Sequence, residues 1–193
     1  MAGQLSRATF RFVAASAIVM IVSTACSGSS GGGGGSTPTT QPALSSTASV
    51  VGAPASQPRV DLIRDAVAAL EAKLGSPQQY FEINATSQLV NLIVALNGGT
   101  VARPWVYLDG ELSSSPGSDA NGNTFAASAL DFDPDTVLSK LQAELPQSRA
   151  DLFFVEGGPG GLVRYSVAVT SSQGGQLVVA VGPDGTVQSV EPT

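Results

Sequence analysis

Cys26 is the only cysteine among the 193 residues, and the chain contains no histidine. Those two facts decide most of the available chemistry. A lone thiol cannot close an intrachain disulfide. Ser-His-Asp and Cys-His sites need an imidazole to move the proton, so both are excluded, as are zinc sites built on His or Cys. A Ser-Lys pair would have to use Lys73 or Lys140, the only lysines. Both stand in amphipathic helical patterns, neither closes a Ser-x-x-Lys, and solvated helix positions are expected for both. No phosphate loop or dinucleotide fingerprint is present. No cofactor is expected.

Oxygen ligands remain. Asp119-Ala120-Asn121-Gly122-Asn123 begins like a calcium loop, with alternate side chains able to converge on a hard cation. Glycine, however, falls at the fourth position rather than the sixth, and the twelfth is Leu130 rather than a carboxylate. Asp131-Phe132-Asp133-Pro134-Asp135 also alternates, but its twelfth position is Gln142. The first segment reads as an irregular loop. The second reads as a helix start, where the helix dipole favours acids. No metal is expected at either. Carboxylate pairs of the glycosidase kind are defined by spatial separation, and nothing in the sequence selects one. Trp105 and Tyr107 are the remaining candidates for binding. They alternate with Val106 on a strand and so share a face. If that face is open they form an aromatic platform; if a helix covers it they are core.

Cys26 follows a basic start, with Arg7 and Arg11, and the short apolar run from Phe12 to Val22. This is a secretory signal pattern, and the run is shorter than the roughly 20 apolar residues that span a bilayer comfortably. Ser23-Thr24-Ala25-Cys26 resembles the lipobox of bacterial lipoproteins, in which small residues precede a cysteine that receives a diacylglyceryl thioether. Ser23 stands where that family usually carries an aliphatic residue. The resemblance covers residues 1–26. It implies cleavage after Ala25, lipidation of Cys26, and attachment to the outer, extracytoplasmic face of the cell membrane. Two acyl chains on one sulfur hold a protein stably, at about 0.8 kcal/mol per buried CH2.

Residues 26–57 are then a tether. Ser27 to Ser36 is Gly/Ser-rich, and Pro, Thr, Ala and Ser dominate up to Pro58. Such a stretch cannot bury apolar surface, and about thirty residues of coil span on the order of 30 Å. The whole chain carries a net charge of −6. Without Arg7 and Arg11, seven basic side chains face fifteen acidic ones, leaving about −8. An acidic surface argues against nucleic acid and against polybasic attraction to anionic lipid.

The remaining residues, 58–193, are enough for one core. Ile63, Ala66, Val67, Leu70 and Leu74 fall at helical spacing, and Gly75 follows as a stop. Strands are expected from Tyr80, from Leu89 to Leu96 and from Val101 to Leu108. The turns are expected at Asn97-Gly98-Gly99 and Asp109-Gly110, with a short strand at Glu111-Leu112. Pro104 lacks a ladder donor and predicts an edge strand or a bulge. The second half runs in the same order. Asp133 is placed as helix N-cap, with Pro134 as first helical residue and Val137, Leu138, Leu141 and Leu145 as the buried stripe. Strands then follow over Leu152–Glu156, Leu162–Thr170, Gln176–Val181 and Thr186–Val190.

The expected fold is therefore α+β: two tandem helix-plus-antiparallel-strand repeats, about 58–115 and 133–193. They share one core, with both helices packed on one face of antiparallel sheet. The order of elements resembles PepSY-like and beta-lactamase-inhibitor-like modules of bacterial envelope proteins. The functional expectation is a non-enzymatic binding module for an envelope protein or ligand. The alternatives are a carrier of a lipid or other apolar ligand and a carboxylate-based hydrolase.

Overall fold

The structure, a computed structural model, describes residues 57–192. The expected signal, Cys26 and the expected tether up to residue 56 lie outside those residues. Pro58 is already buried, and the Arg59 N–H donates to the Thr86 carbonyl at 2.8 Å.

Helix α1 (Ile63–Leu74) follows a single 3-10 turn at Val60–Leu62. Its buried residues are Ile63, Ala66, Val67 and Leu70; Leu74, expected on the same stripe, is 38% exposed in the last turn. It ends at Gly75, whose N–H donates to the Glu71 carbonyl at 2.8 Å. The Glu71 carboxylate accepts from the Gln78 N–H at 2.9 Å and the Tyr80 hydroxyl at 3.2 Å, tying the helix end to the first strand.

Four strands follow: β1 (Gln79–Ala85), β2 (Val90–Leu96), β3 (Val101–Leu108) and β4 (Glu111–Ser114). The β3–β4 turn has Asp109 and Gly110 at φ 50° and 85°, between the paired Leu108 and Glu111. Positive φ at both central residues is the turn whose twist matches a two-residue hairpin. A linker carries the two-residue strands β5 (Ser118–Asp119) and β6 (Phe125–Ala126). Helix α2 (Val137–Glu144) and strands β7 (Ser148–Gly157), β8 (Val163–Ser171), β9 (Gln176–Val181) and β10 (Val187–Pro192) complete the chain.

All ten strands belong to one antiparallel sheet of order β10-β9-β8-β7-β1-β2-β3-β4, with β5 and β6 joined to β3 and β1. Two meanders thus run outward from a central β1–β7 pair, in which Glu82 faces Glu156 and Ile83 faces Val155. Each central strand carries a register shift near its start, between Tyr80 and Glu82 in β1 and between Ala150 and Leu152 in β7. β6 pairs with β1 at Gln79 and Tyr80, along the part of its edge that β7 leaves free.

One face of the sheet is the core. Ile83, Leu92, Phe153, Val155, Val167 and Val179 are fully buried and join the buried stripes of both helices in a single cluster. The linker contributes Phe125, Leu130 and Phe132 to it. Phe132 lies 5.3 Å from Phe153 and 5.6 Å from Tyr165 between ring centroids, and Phe125 lies 5.9 Å from Tyr80. The stretch between the two expected repeats thus adds three side chains to the core.

Two local expectations are corrected. Regular α2 begins at Val137 rather than Pro134. Asp133 leads into it differently: its carboxylate accepts from the Asp135 N–H at 2.9 Å, and its carbonyl accepts from the Val137 N–H at 3.0 Å. β3 is not an edge strand, since β2 lies on one side and β4 and β5 on the other. Pro104 fits because its outer side meets the break between β4, ending at Ser114, and β5, starting at Ser118; its carbonyl there accepts from the Ser115 N–H at 3.1 Å.

The outermost strands are reached from the helices. Lys73 Nζ of α1 donates to the Leu112 carbonyl in β4 at 3.4 Å. Glu144 Oε2 of α2 accepts from the Val187 N–H in β10 at 3.3 Å. β10 also shifts register between Val187 and Ser189, and it ends at Pro192.

Candidate interaction surface

Trp105 and Tyr107 sit on the helix-covered face. Trp105 is 6% exposed and opposes Leu92; Tyr107 packs partly buried against the core. The guanidinium of Arg103 and the ammonium of Lys73 lie 5.2 Å and 5.7 Å from the Trp105 ring centre. The pair thus takes the core outcome of the two that were open, and the two cations hold the indole face under α1.

The other face of the sheet carries no helix among the described residues. Its side chains are set by the alternation of each strand and are only partly covered. Ile93, Pro104 and Val106 flank one side of the centre, and Phe154, Ala168 and Val178 the other. The centre is polar. Asn91 Nδ2 donates to Asn84 Oδ1 at 2.7 Å, and Asn84 Nδ2 donates to Glu82 Oε1 at 2.6 Å. Glu82 stands directly opposite Glu156. Burial pushes the Glu82 carboxyl above its usual range, the Asn84 hydrogen bond pulls it back, and the Glu156 charge pushes it further up.

That shift has a definite sign. The folded chain favours protonated Glu82, so its contribution to stability is complete below the ordinary carboxyl range and is lost as pH rises through the raised value. Gln at this position keeps the oxygen that accepts from Asn84. Glu82→Gln is expected to stabilise the fold at neutral pH by about 0.5–1 kcal/mol, the scale of a like-charged cross-strand pair. Urea unfolding of both proteins at about pH 4 and about pH 7 checks this, because the gain must shrink on acidification.

Of the other candidate groups, Lys140 is held by local side chains, and Asp119 and Asp131 are fixed through their backbones. Lys140 Nζ contacts Asp184 Oδ2 at 2.5 Å and Thr186 Oγ1 at 2.6 Å. Lys140, with the N–H and hydroxyl of Thr186, holds the Asp184 carboxyl well below its usual range. Asp119 lies in β5 opposite Val101. The Asp131 N–H donates to the Tyr165 hydroxyl at 2.8 Å. Among the described residues, no group of three His, Cys, Asp or Glu side chains is placed to hold a metal ion, and no helix is long and apolar enough to cross a membrane. The Glu82–Glu156 pair escaped sequence reasoning because 74 positions separate its members; only the register of β1 against β7 brings them together. Comparison with known proteins returns no matching family model, no similar curated protein and no similar solved structure.

Proposed function

We propose that the chain is a lipid-anchored extracytoplasmic lipoprotein whose globular part is a non-enzymatic interaction module. Cys26, behind its basic and apolar signal, carries the diacylglyceryl anchor. The module works through the bare face of its sheet. The observation that carries this reading is the one-sidedness of the sheet: both helices lie on one face, and the opposite face presents apolar side chains around the Glu82, Asn84, Asn91 and Glu156 centre. Antiparallel sheets commonly leave one face to solvent, and that face then alternates to polar residues. Here many of its positions are apolar instead, which suits a partner.

Two further points belong to the reading. The two halves are internal repeats about the β1–β7 pair. Each half has a helix and four strands, a register shift near the start of its first strand, and a helix side chain on its outermost strand. Carriage of a lipid is the weaker reading, because Tyr80, Phe125 and Phe153, all fully buried, fill the space between helices and sheet. For a hydrolase, Glu82 and Glu156 stand side by side on an open sheet rather than across a cleft.

The anchor is tested in the bacterium. The wild-type chain takes up labelled fatty acid and sediments with membranes; Cys26→Ala does neither. An alanine variant that stays with the membrane fraction overturns the anchor. The face is tested separately, with a photoreactive residue at Ile93 and another at Ser139, which is exposed on α2. Capture of the same partner from Ile93 alone is expected, and equal capture from both sites overturns the face assignment.

A further inference from the structure

Three rungs of the β7–β8 ladder pair unlike residues on the bare face of the sheet. Leu152 opposes Ala168, Phe154 opposes Ser166, and Glu156 opposes Arg164. Phe153, Val155, Tyr165 and Val167 alternate with them and are buried in the core, so the pleat turns the other six outward. Leu152, Phe154 and Ala168 are partly covered and stand outside the core cluster. Arg164 is exposed, and neither it nor Glu156 closes an ion pair among the described residues. Gly157 opposite Val163 is the last rung, so the two charges lie near the rim of this patch and the apolar rungs further in.

The pattern is complementary to itself. Each rung sets a large side chain beside a small one, or an acid beside a base. In a two-fold pair of copies, whatever residue i touches on its partner, that residue touches i in return. A two-fold axis running along the strands, midway between β7 and β8, lays each residue of β7 over its own ladder partner in the other copy. Leu152 then covers Ala168, and Phe154 covers Ser166. The same operation brings Asn84, beside Phe154, over Ala180, beside Ser166. Large side chains thus meet small ones, as interdigitation across the roughly 10 Å between packed sheets requires. Glu156 and Arg164 of the two copies form a square of four alternating charges at the rim.

Resting on the bare-face reading above, we propose that the occupant of that face is a second copy of this chain, laid sheet to sheet about that two-fold axis. A partner of one charge would leave either Glu156 or Arg164 facing its like. A second copy supplies the opposite charge at both places by symmetry, together with the small residue over each large one. Such a pair is closed, since each face is used up by the other.

The test uses the full chain, expressed in the bacterium with two different tags and extracted in neutral detergent. Wild-type copies are expected to be recovered together. Glu156→Arg sets arginine over arginine, and Arg164→Glu sets glutamate over glutamate, twice per dimer in each case. Either variant carried on both tags is expected to lose co-recovery by about tenfold or more, because like charges brought together across an interface are strongly unfavourable. With one variant on each tag, arginine meets glutamate at both contacts, and recovery is expected to return to the wild-type level, a result that a misfolded variant could not give. The dimer is overturned if wild-type copies are not recovered together, or if the mixed variants associate no better than either alone. The photoreactive residue at Ile93 separates this failure from failure of the face. Capture of a different protein from Ile93 alone overturns the dimer while the face stands, and equal capture from Ile93 and Ser139 overturns both.

Discussion

Phe153→Ala is expected to cost about 3–5 kcal/mol of stability, the range for truncating a fully buried aromatic ring. Phe153 is 0% exposed and lies on β7, one of the two central strands. It faces Ala85 on one side and Val167 on the other, and its ring centre lies 5.3 Å from that of Phe132 and 6.1 Å from that of Tyr165. Its removal opens a hole where the first half, the linker and the second half meet, so no one element can collapse to fill it. A domain of ordinary stability has about 5–15 kcal/mol in total, and the variant should unfold at markedly lower urea. Phe154 is the internal control. It is the next residue, opposes Asn84 and lies on the bare face, only partly covered. Phe154→Ala is expected to cost well under half as much. Equal losses for the two would mean that the sidedness of the sheet is wrong.

Gly185→Ala is expected to cost about 3 kcal/mol or more, through strain and overlap together. Gly185 has φ +85°, and a Cβ there would stand 2.3 Å from the Val137 carbonyl oxygen and 2.8 Å from its Cα. Those are backbone atoms at the start of α2, so the β9–β10 turn would have to lift away from the helix. The turn is fastened at several points. The Asp133 N–H donates to the Pro183 carbonyl at 3.3 Å, the Gly185 N–H donates to the Gly182 carbonyl at 2.9 Å, and Asp184 is paired with Lys140. Gly110 separates the two causes. It has the same φ, +85°, with nothing within 4 Å of a Cβ. Gly110→Ala therefore reports strain alone, about 1 kcal/mol. Thermal unfolding of both variants gives the difference, and a Gly185 variant no worse than the Gly110 variant would show that the helix contact carries nothing.

The elements were legible wherever side-chain period and turn chemistry agreed. The stripe Ile63, Ala66, Val67, Leu70 could only be one helix face, and Asp109-Gly110 could only be a tight reversal between two apolar runs. The antiparallel α+β class followed from those local signals. What stayed hidden was non-local. The two-residue strands β5 and β6 are too short to show a period, and no spacing marks Phe125, which is fully buried against Tyr80. Trp105 and Tyr107 were placed on one face of a strand, but only the position of α1 decides which face is covered. The candidate groups of the bare face lie on segments that meet only through pairing of distant parts of the chain, as Glu82 meets Glu156, and the same holds for the Asp131 N–H on the Tyr165 hydroxyl. Register and side-chain reach create those neighbours, and neither leaves a mark in composition or spacing.

The rims of the sheet have a consequence for how copies of this protein behave when concentrated. A free rim is a template on which another chain can add itself, rung by rung. At one rim the template is four residues long and a lysine already occupies one of its carbonyls. At the other a glutamate occupies the first amide, the ladder then slips by one residue, and a proline without an amide hydrogen closes it. Neither side offers a run of open rungs long enough to start a fibre, so even densely packed folded molecules should slide past one another without zipping together.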